Sequence, residues 1–122
     1  MGIADFVDYV QALTPYKVYP LNFPSTTDNV EAVIVKFEPS SRTNRGGLVQ
    51  ANLQMIIRAN HPKDAEAEAN NLLKHFDNKT RFNIGGFKVV LATARQPFSM
   101  FLEKDDLDRY KYNVNINLLI DK

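Results

Sequence analysis

An α+β fold, with a mainly antiparallel sheet of four to five strands and two helices packed on one face, is what this sequence predicts. Three observations predict it. The closing stretch, residues 111–120, reads KYNVNINLLI and places Tyr112, Val114, Ile116, Leu118 and Ile120 at every second position. That period gives an extended chain one apolar face. Residues 48–59, LVQANLQMIIRA, repeat the pattern with Val49, Ala51, Leu53, Met55 and Ile57. Residues 62–76 follow the helical period instead, with Ala65, Ala69, Leu72, Leu73 and Phe76 as one stripe. Strands with a single oily face need a cover, and small alanines let a helix backbone come close to them.

The remaining elements follow in chain order. Ile3, Phe6, Val7, Val10 and Leu13 predict an amphipathic helix over 3–13, with Asp5, Asp8 and Gln11 on its other side. Thr14-Pro15 ends it, because proline pushes the preceding residue out of the helical region. Residues 16–30 contain two prolines and a polar cluster, which predicts an extended connection with turns. Its Tyr16, Tyr19, Leu21 and Phe23 are too apolar for a free linker and are expected to pack on the body or on a partner. Residues 30–37, VEAVIVKF, form a β-branched strand. EPSSRTNRGG, residues 38–47, is expected to be a surface loop and a contact arm carrying Arg42 and Arg45. Asn60-His61-Pro62 opens the main helix, with proline in its first turn, and Asp77-Asn78 closes it. Residues 81–84 and 87–94 flank Gly85-Gly86 as a hairpin. Gln96-Pro97 breaks the run. FSMFL, residues 98–102, is a short further strand or an exposed apolar segment, and EKDDLD, residues 103–108, is a polar turn.

The totals bound the function classes. A length of 122 residues predicts a single domain, 1–122. Fifteen basic against 14 acidic residues leave a net charge of +1, which argues against bulk electrostatic affinity for nucleic acid or anionic membrane. The chain has no cysteine, so disulfides and thiolate zinc sites are excluded. The first residues lack the basic region and long apolar core of a secretory signal. No run approaches the roughly 20 apolar residues of a membrane span, and Phe6 stands where a myristoylation signal needs Ser or Thr.

Nor does a catalytic, cofactor or metal constellation emerge. His61 and His75 fall at opposite ends of the main helix, roughly 20 Å apart by helical rise, and read as helix-terminal residues. Asp105, Asp106 and Asp108 resemble the opening of a calcium loop, but Arg109, Tyr110 and Lys111 follow where that loop needs glycine and glutamate. A solvated turn is the simpler reading. Gly46-Gly47 and Gly85-Gly86 lack the frame of a phosphate loop, and the serines lack a nucleophile elbow. Lys36, Arg42, Arg45 and Arg58 could form a basic patch, without the interleaved aromatics that single-strand binders use. The amides are more informative. Gln50, Asn52 and Gln54 on one strand and Asn113, Asn115 and Asn117 on another make an uncharged polar face from residues that strands disfavour. Plain solvent exposure accounts for such a face; so does an assembly surface, or a channel wall that something charged passes without sticking.

The order of these parts resembles the minor capsid and tail-terminator proteins of long-tailed bacteriophages. The likeness is carried by the N-terminal amphipathic helix, the Tyr19-Pro20 segment, a strand pair around the Ser/Arg/Gly loop, the Ala-rich helix after Asn60-His61-Pro62, and the closing Asp108-Arg109-Tyr110-Lys111-Tyr112-Asn113 strand. It implies a non-enzymatic virion protein at the head–tail junction, assembled in the host cytoplasm, with no cofactor and no membrane. Such proteins cap the tail tube, usually as a hexameric ring, and dock to the head connector. Genomic DNA passes through the hole without sequence-specific binding. On that view Arg42, Arg45, Tyr19, Phe23, Phe98 and Phe101 are assembly candidates, and the six amides line the channel or a subunit contact. Competing readings are another head-completion or neck protein, a small α+β enzyme or ligand-binding module, and a single-stranded nucleic-acid binder.

Overall fold

Alternating apolar residues build the sheet, and they build more of it than the sequence predicts. In the computed structural model, which describes residues 3–21, 23, 31–43, 47–105 and 108–121, the elements run α1 (Ile3–Gln11), β1 (Lys17–Pro20), β2 (Ala32–Thr43), β3 (Leu48–Ala59), α2 (Pro62–Phe76), β4 (Lys79–Ile84), β5 (Phe87–Ala94), β6 (Met100–Lys104) and β7 (Tyr110–Asp121). One seven-stranded sheet has the order β1-β2-β3-β7-β5-β4, with β6 also beside β7. The expected α+β fold with four to five mainly antiparallel strands is therefore corrected. The chain is mostly β, and its sheet is mixed because β1 runs parallel to β2.

A short further strand is one of the two readings given for residues 98–102, and β6 is that strand, but neither it nor β1 stands out in a periodicity search, for physical reasons. With four residues ending in proline, β1 is too short to show alternation, and β6 has only five. The predicted 38–47 loop is corrected as well. Its residues 38–43 continue β2, with Pro39 opposite Ala51 and Thr43 opposite Val49 across a register shift. A strand proline is tolerated beside such an irregularity.

Central position belongs to β7. It pairs with β3 along its whole length, from Tyr110 opposite Ala59 to Asp121 opposite Leu48. Its other side is shared by β5 and β6. The face carrying Val33, Val35, Leu53, Met55, Val114 and Ile116 packs with Phe6 and Val10 of α1 and with Ala65, Ala69, Leu72 and Phe76 of α2 in one core. Phe6 stacks on Phe37 at 4.3 Å between ring centroids. Each such buried side chain contributes about 1.5–3 kcal/mol over an exposed one.

Polar groups tie the helices down at set points. Pro62 starts α2 behind His61, whose carbonyl accepts from the Ala65 amide (3.1 Å) and whose side chain makes no capping bond. Buried Thr14 donates to Glu68 Oε2 (3.0 Å). The Tyr16 hydroxyl is pushed up to about 12 by burial first and then by the charge and hydrogen bond of Glu31. The β4–β5 turn uses Gly85 at φ +59°, the left-handed region that favours glycine. A Cβ there would lie 2.6 Å from Asp5 Cγ, so the turn also lets α1 approach.

Candidate functional site

Two surfaces stand out, and both are consequences of how the sheet ends. The first is β6. Backbone hydrogen bonds to α2 and β7 hold the segment before it: the Ala94 amide donates to Asp77 Oδ1 (3.0 Å), the Arg95 amide to the Asn115 carbonyl (2.9 Å), and the Ser99 amide to Asn70 Oδ1 (3.0 Å). The strand then runs antiparallel to β7, with Met100 opposite Asn113 and Lys104 opposite Tyr110, and a register shift at Leu102. Among the described residues, no strand pairs with its other side. Apolar side chains nevertheless stand exposed along its first half and just before it: Phe98 is 72% exposed, Phe101 55%, and Met100 and Leu102 45% each. The Phe101 ring leans edge-on against Tyr112, 5.6 Å between centroids. Lys111 reaches back to Glu103 (3.5 Å). An apolar strand held in place at a free edge is a template for pairing and is rare on a protein that stays alone.

The second surface is the sheet face opposite the helices. Strand register sets Asn52 opposite Asn117 and Gln54 opposite Asn115. The side chains bond diagonally instead: Gln54 Nε2 donates to Asn113 Oδ1 (2.9 Å) and Asn52 Nδ2 to Asn115 Oδ1 (3.4 Å). Gln50 and Asn117 remain exposed. Together with Leu91, Thr93 and Leu119 they line an open groove of about 330 Å³. All six predicted amides thus share one face, with Lys36 and Glu38 of β2 opposite Gln54 and Asn52.

That face changes character towards its other end. Ile34, Ile56 and Arg58 are buried there. The Arg58 guanidinium lies over the Phe23 ring at 4.3 Å, and Lys111 Nζ sits 5.3 Å from the same ring. Burial lowers the pKa of Arg58, neighbouring Arg109 lowers it further, and Asp105 and Tyr19 oppose them. Arg58 is therefore not part of an exposed basic patch; desolvation and stacking have drawn it inside. Tyr19 and Phe23 are half-buried beside this cluster, whereas Phe98 and Phe101 stand out at β6. Lys111 connects the two groups. The backbone of Arg42 belongs to β2, and Arg45 lies outside the described residues.

The acidic turn is tied up in ion pairs. Arg109 Nε meets Asp105 Oδ2 at 2.7 Å, its amide donates to Asp105 Oδ1 (3.0 Å), and Lys104 pairs with Asp108. His75 Nε2 lies 3.1 Å from the Tyr9 hydroxyl, while His61 is exposed at the start of α2. Among the described residues, no three His, Cys, Asp or Glu side chains gather as a metal site, and no helix is long and apolar enough to cross a membrane. Sequence reasoning missed Asn70 and Asp77, whose side chains hold backbone 29 and 17 residues further along, and Gln11, which reaches back to the strand that follows its own helix; nothing in their residue pattern marks such a role.

Comparison with curated proteins finds no match. The profile of the bacteriophage tail terminator proteins, however, matches residues 9–122, from the middle of α1 through the whole of β7. By that match this chain belongs to the bacteriophage tail terminator protein family.

Proposed function

We propose that this chain is a structural, non-enzymatic part of the virion that caps the finished phage tail tube as a closed ring and joins the tube to the head connector. The family is structural, and the observation that carries the reading is β6, an apolar edge strand pinned by α2 with Phe98 and Phe101 facing out. Cyclic assemblies close through heterologous contacts, and strand edges with aromatic anchors supply both direction and contact area. The face of Gln50, Asn52, Gln54, Asn113, Asn115 and Asn117 suits the wall of a passage for DNA, because these amides offer hydrogen bonds without charge, and the one cation paired beside them, Lys36, is balanced by Glu38.

Sedimentation velocity over a wide concentration range, with and without magnesium, tests the ring directly. A discrete species near six subunits, annular by electron microscopy, is the expected result. A monomer throughout transfers the decision to uncapped tails: protein that neither binds tube ends nor makes them competent for head joining does not have this function. Replacing Asn113, Asn115 and Asn117 together by Thr tests the amide face. Unchanged assembly and head joining in that variant remove the face from the mechanism.

A further inference from the structure

The opposite edge of the sheet carries a device of its own. Leu21 donates its amide to the Val35 carbonyl of β2 (3.0 Å), and backbone groups two residues apart on a strand point the same way. The amides of residues 17, 19 and 21 therefore face β2, and those of 16, 18 and 20 face outward. Along this outer edge a further strand would find its partners in Tyr16, Val18 and Pro20. Gln11 has taken two of these groups. Its Oε1 accepts from the Val18 amide (3.0 Å), and its Nε2 donates to the Tyr16 carbonyl (2.9 Å) and the Thr14 carbonyl (3.4 Å). Pro20, next outward, has no N–H to offer. One carboxamide thus makes the two hydrogen bonds of a missing strand.

We propose that Gln11 is a plug on the β1 edge, blocking strand addition by a second copy of this chain and so excluding growth of the sheet in that direction. Strand edges left bare pair with one another, and here the blocking group comes from the last residue of α1, so the edge is closed only while that helix is docked. The inference goes beyond the capping reading, and its test uses purified full-length protein without tails.

In the wild type, amide exchange followed by NMR should show Val18 protected by about 100-fold or more over an unfolded chain, although it faces outward on an edge strand. Exchange near the unfolded rate overturns the proposal. Gln11→Ala should sediment as larger, concentration-dependent species than wild type at equal concentration. Adding Val18→Pro removes the exposed donor while keeping an apolar side chain, and should restore the wild-type profile. A folded Gln11→Ala protein with the wild-type distribution overturns the proposal. So do larger species that persist in the double variant, since they form elsewhere. If Gln11→Ala does not fold, the exchange of Val18 in the wild type decides.

Discussion

Two edges of this sheet, β1 and β6, treat the same hazard in opposite ways. At β1, every outward backbone donor is accounted for: Val18 bonds Gln11, and Pro20 has none. At the far flank, β4 is blunted by other means, with exposed Arg81 at φ +52° and Lys79 beside it. Among the described residues, only β6 combines a free edge with exposed Met100, Phe101 and Leu102, and exposed Phe98 lies just before it. It is also anchored, since Asn70 of α2 and Asp77 just after that helix hold the backbone that leads into it. An edge that were merely neglected would fray. The difference teaches that openness here is local and built, and under the proposed function β6 is the side on which other chains meet this one.

The largest effect expected from that contrast is on association. Phe98→Asp with Phe101→Asp should weaken tail capping and any self-association by at least about 30-fold, the usual loss when aromatic anchors go. Monomer stability should stay within about 0.5 kcal/mol, because both rings are exposed. Denaturant melts beside a tail-joining assay check both halves. Capping that survives intact would erase the distinction between the β1 and β6 edges. A smaller effect is expected from Asn70→Ala, which strips the Ser99 amide of its acceptor. Stability should fall by about 1 kcal/mol, and hydrogen exchange should quicken in β6 while β1 is unchanged. Equal loosening at both edges would show that the anchoring is not local.

Which parts were legible in the sequence follows from how the stabilising contacts are spaced. The strand over 48–59 and the helix over 62–76 each carry their own period, because each buries one face against the core. The glycine hairpin announces itself through the backbone conformation its turn requires. By contrast, β1, β6 and the end of β2 exist because a long neighbour is available to pair with them, so their own residues hold little signal. Arg58 looks like surface in an alternating strand, yet its guanidinium is buried over Phe23, 35 positions away along the chain. The amide face was readable, since six Asn and Gln side chains alternate with the core residues. Gln11 was not: a glutamine on the polar side of a helix looks the same whether it meets water or a strand edge.

The smallest effect concerns pH and tests whether the β1 flank depends on α1. His75 meets Tyr9 of α1 and packs against Phe76. Burial first, and then Lys79, hold its pKa below the ordinary value of 6.5. A histidine with a lowered folded pKa binds its proton more readily when unfolded, so the stability it supports is complete above about pH 6.5 and declines as pH falls towards the folded pKa. Protonation also removes the lone pair with which Nε2 can accept the Tyr9 hydroxyl proton. Between pH 7 and 5, then, α1 should loosen and exchange at the Val18 amide should speed up after correction for intrinsic rates, while β6 keeps its protection. His75→Phe should flatten that dependence. If Val18 and β6 respond alike, or if the variant titrates as wild type does, the coupling between α1 docking and the β1 edge runs through other groups.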